Sequence, residues 1–267
     1  MLLSATKISK FCRFVSLVFC LWCSFGAIAG AEGLQARISS YPNWSRFPSV
    51  ETVQGATDLV YPSWMGGTWQ VTSILREQIA PLAPDIVTPG FEQNRQLTDQ
   101  PIVFTVKFEP QQFFEQPAFS LPKLLGGDRP IVANREFNGT EIAKAYLGKQ
   151  GFLTVKVDPT NPNRQLTRLN SEQALISTVT ARATETPRET EFLSTEITQQ
   201  QFRGIPDAYL NTVETTTDYR LQNSGLITAT QITAIYLSPN DPQFFKANNR
   251  PVALYLYDLK LEHINPV

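Results

Sequence analysis

The sequence contains little histidine and cysteine: its 267 residues include one histidine and three cysteines. A single histidine excludes a histidine cluster of the kind that holds a metal ion. The formal net charge of −1 excludes the basic footprint that nucleic-acid binding requires. Charged residues make up 18% and aromatic residues 11% of the chain, which is typical of a folded protein rather than a disordered one. The length fits one large β domain or two small ones with a full hydrophobic core.

The first 31 residues have the pattern of a signal peptide. Three basic residues lie within the first 13 positions, and no acidic residue occurs before Glu32. Residues 14–25 form an apolar core, which is shorter than the ~20 residues that span a bilayer. Small residues follow in two overlapping cleavage frames, 27–29 and 29–31, and the second frame makes Glu32 the first residue of the exported chain. The alternative is an uncleaved N-terminal anchor.

Cleavage after residue 31 changes the composition of the protein. All three cysteines and three basic residues lie in the removed segment, so 236 residues remain with no cysteine and a net charge of −4. A chain without cysteine has no thiol nucleophile, no zinc ribbon and no redox pair. We therefore expect an exported protein that has no integral membrane span after cleavage and needs no disulfide.

Residues 32–65 are predicted to form an irregular aromatic arm. Trp44, Tyr61 and Trp64 lie among prolines that exclude a long helix. Aromatic side chains in such a segment usually pack onto a neighbouring surface. We expect the arm to be a strap that closes the base of the domain, and the alternative is that it docks a protein partner. A second aromatic segment, the Phe113-Phe114 loop, is predicted to cover one end of the domain or to dock a partner.

From residue 66 onward apolar and polar residues alternate with a period of two, which predicts β-strands. The clearest segments are 68–77, 102–109, 152–158, 212–221 and 252–263. Threonine-rich runs predict further strands at about 165–170, 174–185, 190–202 and 226–238. A meander of about eight to ten strands with one apolar face must hide that face. The predicted fold is therefore mainly β, a single antiparallel β-barrel domain over residues 66–267.

One short helix is predicted within this β pattern. Residues 141–147 lack the alternation, Asn138 or Thr140 offers an N-cap, and Gly148 offers a C-terminal stop. Turn sequences rather than helices separate the other segments, so we expect no further helix in the domain.

The first clear strand opens with Gly67-Thr68-Trp69, a Gly-x-Trp pattern. This pattern, which follows an irregular arm and precedes a meander, resembles the entry to the lipocalin and fatty-acid-binding superfamily. The resemblance implies a lipocalin-like barrel in which Gly67 lets the incoming strap cross closely and Trp69 plugs the closed end. In lipocalins a basic residue from a late strand stacks on that tryptophan. Arg220 and Lys260 are the candidates here, although the alternation places both on the outward face.

A wider block, Tyr61-Pro-Ser-Trp64 through Gly67-Thr-Trp-Gln-Val71, carries a second resemblance. It is similar to an uncharacterised family of exported cyanobacterial proteins and their plastid-targeted plant relatives, which share a Tyr-Pro-x-Trp-x-x-Gly-Thr-Trp-x-Val block. The resemblance implies a location in the periplasm or the thylakoid lumen. It also implies a lipocalin-like barrel, without assigning an activity.

The sequence shows no catalytic constellation. His263 is the only imidazole and lies near the end of the sequence, where a structural role is more common than a catalytic one. A serine nucleophile needs a base, and there is no other imidazole to supply one. Glu185, Glu189 and Glu191 surround Pro187 and are expected in a solvated turn. We therefore expect a protein that is not an enzyme and that uses no cofactor or metal.

Ligand binding is the function that the inward-facing residues favour. On the inward parity large apolar side chains mix with hydroxyl groups, which suits a lipid, an isoprenoid or a pigment. The candidate ligand-binding residues are Trp69, Phe104, Val106, Phe108, Thr215, Thr217, Tyr219, Tyr255 and Tyr257. Two alternatives stay open: these side chains fill the barrel, or the protein is an assembly or structural accessory factor of a photosynthetic or envelope membrane complex.

N-terminal sequencing of the exported protein tests the predicted cleavage. We expect the mature chain to begin at Glu32, because the small-residue frame at 29–31 directly precedes it. A mature chain that still begins at Met1 contradicts cleavage and supports the anchor alternative.

Overall fold

The chain forms one antiparallel β-sheet that curls into a half-barrel. The computed structural model describes residues 33–48, 50–53, 57–111, 129–204 and 209–264. The predicted signal peptide and the Phe113-Phe114 loop lie outside these described residues. Within them the strands are β1 (Glu51–Thr52), β2 (Gly67–Ile79), β3 (Pro101–Pro110), β4 (Ile131–Ala133), β5 (Thr154–Asp158), β6 (Asn161–Arg168), β7 (Ala174–Arg188), β8 (Glu191–Arg203), β9 (Tyr209–Asn223), β10 (Leu226–Leu237) and β11 (Ala253–His263). The mainly β, antiparallel fold is therefore confirmed.

The strand order joins two meanders into one sheet. It runs β4-β3-β2-β11-β10-β9-β8-β7-β6-β5, with β1 paired to β7. Because β11 pairs with β2, the last strand lies beside the first long one. Each of the nine predicted strands is found close to its predicted bounds. Strands β1 and β4 have only two and three residues, which is too short for an alternation to show.

Helices are few and short in the described part of the chain. They are α1 (Leu34–Ser39), α2 (Phe91–Asn94), α3 (Arg135–Leu147) and α4 (Phe244–Ala247), with 3-10 turns at Ser63–Met65 and Arg95–Leu97. Only α3 was expected. The others span four to six residues, which is less than the length over which a helical period shows. No helix in this part of the chain is both long and apolar enough to cross a membrane.

Helix α3 begins earlier than predicted. Asn134, rather than Asn138 or Thr140, is the N-cap, and its side-chain oxygen accepts a hydrogen bond from the N–H of Phe137 at 3.0 Å. Gly148 ends the helix as predicted, with a φ of 74° that glycine adopts readily. The first turn of the helix, missed in the sequence, carries Glu136 and Asn138, which bond to backbone groups of β5 and β3.

Helix α3 spans the gap between the two ends of the sheet. It contacts β3 near one end of the strand order and β5 and β6 at the other, so the sheet must curl around it. On one side the Asn138 side chain accepts the N–H of Lys107 at 2.7 Å and donates to its carbonyl at 3.1 Å. On the other side Glu136 accepts the N–H of Val157 at 3.3 Å and pairs with Lys156 at 2.8 Å. Side chains of the helix thus form hydrogen bonds with backbone groups of the outer strands. In a closed barrel, neighbouring strands would form those bonds.

Gly139 allows the helix to approach the sheet closely. A Cβ atom at this position would lie 2.9 Å from Oε1 of Gln165 and 3.0 Å from Cγ1 of Val155. One turn further on, Ala143 packs with Phe152 and Val155 in a small buried cluster. Small residues on this side of α3 therefore set its distance from β5 and β6.

The N-terminal arm covers part of the opposite, convex face of the sheet. Helix α1 contacts β7, β8 and β9, and Arg37 forms a buried ion pair with Glu214 at 2.8 Å. Arg37 also donates to the hydroxyl of Tyr236 at 2.9 Å and lies 3.9 Å from the ring centroid of Trp44. The first half of the arm thus packs over the convex face, and its second half, which contains Tyr61, reaches the end of the concave face. The arm was expected only to close the base of the domain. The buried ion pair explains why its first half lies on the convex face instead.

Replacement of Asn138 by alanine tests the role of the helix in joining the sheet edges. We expect Asn138→Ala to lower the free energy of unfolding by about 1–2 kcal/mol, because the N–H of Lys107 loses its hydrogen-bond partner in a partly buried site. Asn138→Asp keeps the acceptor and should recover part of the loss. Urea unfolding measures both variants.

Asn43→Ala is the matched control, since Asn43 is an exposed asparagine of the arm. It should leave the unfolding midpoint unchanged. An Asn138→Ala variant as stable as this control would show that the contact does not hold the half-barrel together.

Candidate functional site

The register of the sheet places all nine candidate ligand-binding residues on one face, the concave face that surrounds α3. Trp69 pairs with Val106 on β3, while Tyr257 aligns through Gln231 with Thr217 on β9. The same face carries Phe104, Phe108, Thr215, Tyr219 and Tyr255. The concave face therefore brings together the residues that the alternation grouped, and their role in binding stays a prediction.

Aromatic side chains form a packed floor at one end of the concave face. The ring centroid of Tyr61 lies 4.7 Å from that of Phe108 and 5.6 Å from that of Phe192. Trp69 and Val106 belong to the same buried cluster. Five of the nine candidates are between 1% and 7% exposed. Trp69, Val106 and Phe108 fill this end of the half-barrel, whereas Thr217 and Tyr255 are buried outside the floor.

His263 occupies the position beside Trp69. The imidazole stands edge-on to the indole, with ring centroids 4.8 Å apart and an interplanar angle of 87°. Gly67, with φ +123°, makes room for it, because a Cβ there would lie 2.5 Å from Nε2 of His263. Arg220 and Lys260, which the lipocalin resemblance suggested for this place, each pair with a carboxylate at 2.7 Å on the convex face.

Next to the floor, two cross-strand rows of mainly polar side chains cross the concave face. One row consists of Tyr257, Gln231, Thr217, Ser194 and Thr184. The other consists of Tyr255, Thr233, Thr215, Glu196 and Arg182. We call these ten residues the polar band. Their hydroxyl and amide groups offer both hydrogen-bond donors and acceptors.

A charged network of four residues closes one end of the polar band. Arg135 of α3 donates to Asp58 at 2.7 Å and to Glu196 at 2.8 Å, and Arg182 pairs with Glu196 at 3.1 Å. Burial lowers the pKa of Arg135, but the carboxylates of Glu196 and Asp58 raise it more, so it lies above its ordinary value. Two cations and two carboxylates compensate one another. No local sequence pattern indicates this network, although Glu196 shares the parity of the apolar Phe192.

The concave face keeps solvent-exposed surface beside the C-terminal half of α3. Tyr146 is 40% exposed, yet its hydroxyl lies 3.4 Å from Oγ of Ser73 and its ring centroid 6.4 Å from that of Phe104. Phe104 and Tyr257 are partly exposed, and Ile142, one turn before Tyr146, is 39% exposed. We call Phe104, Ile142, Tyr146 and Tyr257 the entrance.

Two grooves lie away from the floor. One, of about 600 Å³, is lined by residues of β5, β6, β7 and β8, and the other, of about 440 Å³, lies between α3 and β5. Neither groove is lined by any of the nine candidate residues. The polar band and the entrance are therefore separate from both grooves.

The aromatic residues of the arm pack against the chain's own sheet. Trp44 is 3% exposed and belongs to the cluster around Tyr236, Tyr61 lies in the floor, and Nε1 of Trp64 donates to the carbonyl of Glu189 at 3.0 Å. Docking of a partner through these three side chains would require the arm to leave the sheet. The Phe113-Phe114 loop, the other predicted docking segment, lies outside the described residues.

Two of the acidic residues that were expected in a solvated turn instead contact other parts of the protein. Glu185 accepts the N–H of Leu34 at 2.7 Å, and Glu191 is 3% exposed with Arg220 at 3.3 Å. Both therefore hold the fold together. In the described part of the chain, no group of three or more His, Cys, Asp or Glu residues is arranged to hold a metal ion.

Comparison with known proteins gives one family match. A family model, described as a domain of unknown function (DUF6816), matches residues 53–265, which include every described strand of the sheet except the two-residue strand β1. No curated protein and no solved structure matches the chain.

Alkaline titration tests the burial of the concave-face tyrosines. Burial raises the pKa of Tyr219 from 10.0 to about 12, and burial first, then Tyr219 and Glu196, raises the pKa of Tyr61. The folded state therefore favours the neutral phenols, so their contribution to stability is complete below about pH 10 and is lost as the pH rises toward about 12. We expect native protein at about pH 11 to carry fewer tyrosinates, measured by ultraviolet absorbance, than denaturant-unfolded protein at the same pH.

Tyr219→Phe is the matching variant, because it removes the ionisable hydroxyl and keeps the ring. It should lose less stability than the natural chain between about pH 10 and 12. Equal tyrosinate content in the native and unfolded proteins would contradict the burial.

Proposed function

Because the chain belongs to the DUF6816 family, whose domain has no known function, we propose a function from the concave face: non-catalytic binding of a small, largely apolar ligand. A lipid, an isoprenoid or a pigment has this chemistry. The entrance carries the proposal, because Tyr146 is 40% exposed and Phe104 and Tyr257 are partly exposed on a face whose floor is packed. In a completely filled barrel these inward aromatic side chains would be buried.

The residues around the entrance indicate the polarity of the ligand. Phe104, Tyr146 and Tyr257 offer an apolar contact surface. The polar band, to which Tyr257 also belongs, adds hydroxyl groups on the same face, among them that of the partly exposed Thr215. Such a mixture suits an apolar body with one or two oxygen atoms. The charged network is compensated within itself, so a neutral ligand fits the site without displacing an ion pair.

We also propose that the protein acts outside the cytosol, in the periplasm or the thylakoid lumen. The support is the signal-peptide pattern of residues 1–31 and the resemblance of the block from Tyr61 to Val71. The chain beyond residue 31 contains no cysteine, so its stability does not depend on the redox state of the compartment.

Binding of an apolar fluorescent probe tests the site. We expect N-phenyl-1-naphthylamine to become fluorescent in the presence of the protein and to be displaced by oleate or geranylgeraniol. Thr215→Trp should weaken probe binding by at least about tenfold, because an indole would occupy the concave space beside the entrance. Thr215→Val, which removes a partly exposed hydroxyl at nearly constant size, should weaken oxygen-containing ligands more than the probe.

Gln222→Trp is the matched control. Gln222 lies on the same strand as Thr215, is exposed, and has the opposite parity. It adds the same indole outside the concave face and should bind the probe like the natural chain. Unchanged binding by Thr215→Trp, or equal loss in both variants, would contradict the proposed site.

A further inference from the structure

A basic region lies on the sheet between α3 and β8, where the two grooves meet. The grooves share Lys156. The cations that line them are Lys144, Lys149, Lys156, Arg164, Arg168 and Arg203. We call these six residues the basic surface. Only two carboxylates, Glu136 and Asp158, line the same grooves, although acidic and basic residues are nearly equal in number over the whole chain.

Half of the basic surface is uncompensated. Lys144, Lys156 and Arg164 each have a carboxylate partner, at 2.6, 2.8 and 3.7 Å. Lys149, Arg168 and Arg203 form no ion pair with any described residue, and Arg203 donates to the neutral amide of Gln201. The surface therefore has a local excess of about three positive charges, and the side chains that carry it are exposed.

Exposed leucines lie among these cations. Leu153 is 59% exposed, Leu147 is 49% exposed and Leu166 is 38% exposed. Leu166 stands between Arg164 and Arg168 on one face of β6 and is paired across the strands with Lys156. Large apolar side chains grouped on a charged surface indicate a contact that removes them from water.

We propose that the basic surface docks the protein on an anionic lipid bilayer. The cations would lie against the anionic headgroups, and the leucines would enter the boundary between headgroups and hydrocarbon. A bilayer offers both chemistries at neighbouring depths over a broad surface, which matches leucines that stand between cations. An acidic protein would satisfy the charges, but its surface gives no matching partner for three leucines dispersed among them.

The docking does not rest on the proposed ligand site. The strand register places Arg168 and Arg203 on the convex face of the sheet, opposite the face that carries the polar band.

Vesicle co-sedimentation of the chain from Glu32 onward tests the docking. This chain contains a compact unit that begins at Gly33 and holds every described strand and helix, and it lacks the apolar residues 14–25, which would bind membranes by themselves. We expect it to sediment with vesicles of phosphatidylcholine that contain about one third phosphatidylglycerol and not with phosphatidylcholine alone. Raising the salt concentration should release it, because the screening length shortens.

Charge-reversal variants locate the contact. Arg168→Glu with Arg203→Glu should weaken binding to anionic vesicles by at least about 25-fold, since each cation near such a surface contributes about fivefold. Leu153→Ser should weaken binding without changing its salt dependence. The matched control is Lys246→Glu with Lys260→Glu, which changes the charge equally at exposed sites away from the basic surface, and it should bind like the natural chain.

Several outcomes would overturn the docking proposal: no vesicle binding, equal binding to neutral vesicles, or an equal loss in the control pair. Binding of soluble polyglutamate without vesicle binding would also overturn it and would favour an acidic protein partner instead. Probe binding in the concave face is measured without vesicles. Failure of the docking therefore leaves the proposed ligand site intact, and failure of the ligand site leaves the docking result standing.

Discussion

The half-barrel depends on the contact that helix α3 makes with both ends of the sheet. Asn138 pairs with the backbone of β3, Glu136 pairs with the backbone of β5, and Gly139 brings the two sides close enough for both contacts. Without the helix, backbone donors and acceptors near both sheet edges would lack partners and would be open to another chain. The same helix positions Arg135 in the charged network and Tyr146 at the entrance. One element therefore sets both the closure of the sheet and the shape of the candidate site.

The two faces of the sheet are covered to different extents. On the convex face the N-terminal arm supplies Arg37 and Trp44, which cover Glu214 and Tyr236. On the concave face the aromatic floor fills one end, while the polar band and the entrance keep hydrogen-bonding groups and exposed surface. A sheet that closes with a helix instead of a strand can leave such a space, because the helix packs over part of the concave face only. This difference is the physical basis for proposing ligand binding.

Much of the sheet was predictable from the alternation of apolar and polar residues. The nine long or moderately long strands and the shared face of Phe104, Thr217 and Tyr257 follow from it, since successive side chains of a strand point to opposite sides. The charged network was not predictable, because Asp58, Arg135, Arg182 and Glu196 come from four separate segments. The N-cap of α3 was misplaced for a local reason: Asn134 and Asn138 are equally good caps in isolation, and Asn138 is occupied by β3.

The sequence by itself determined the strands, the side of the sheet on which each residue lies, and the short helix, because these depend on neighbours a few positions away. The tertiary structure decided which of those residues are exposed to solvent. Glu214 belongs to the polar side of its strand, yet it is fully buried by Arg37, which lies 177 positions away in the chain. His263 likewise reaches Trp69 only because β11 pairs with β2. Contacts of this kind depend on chain segments that no local pattern connects, and they decide both the burial of charges and the opening of the concave face.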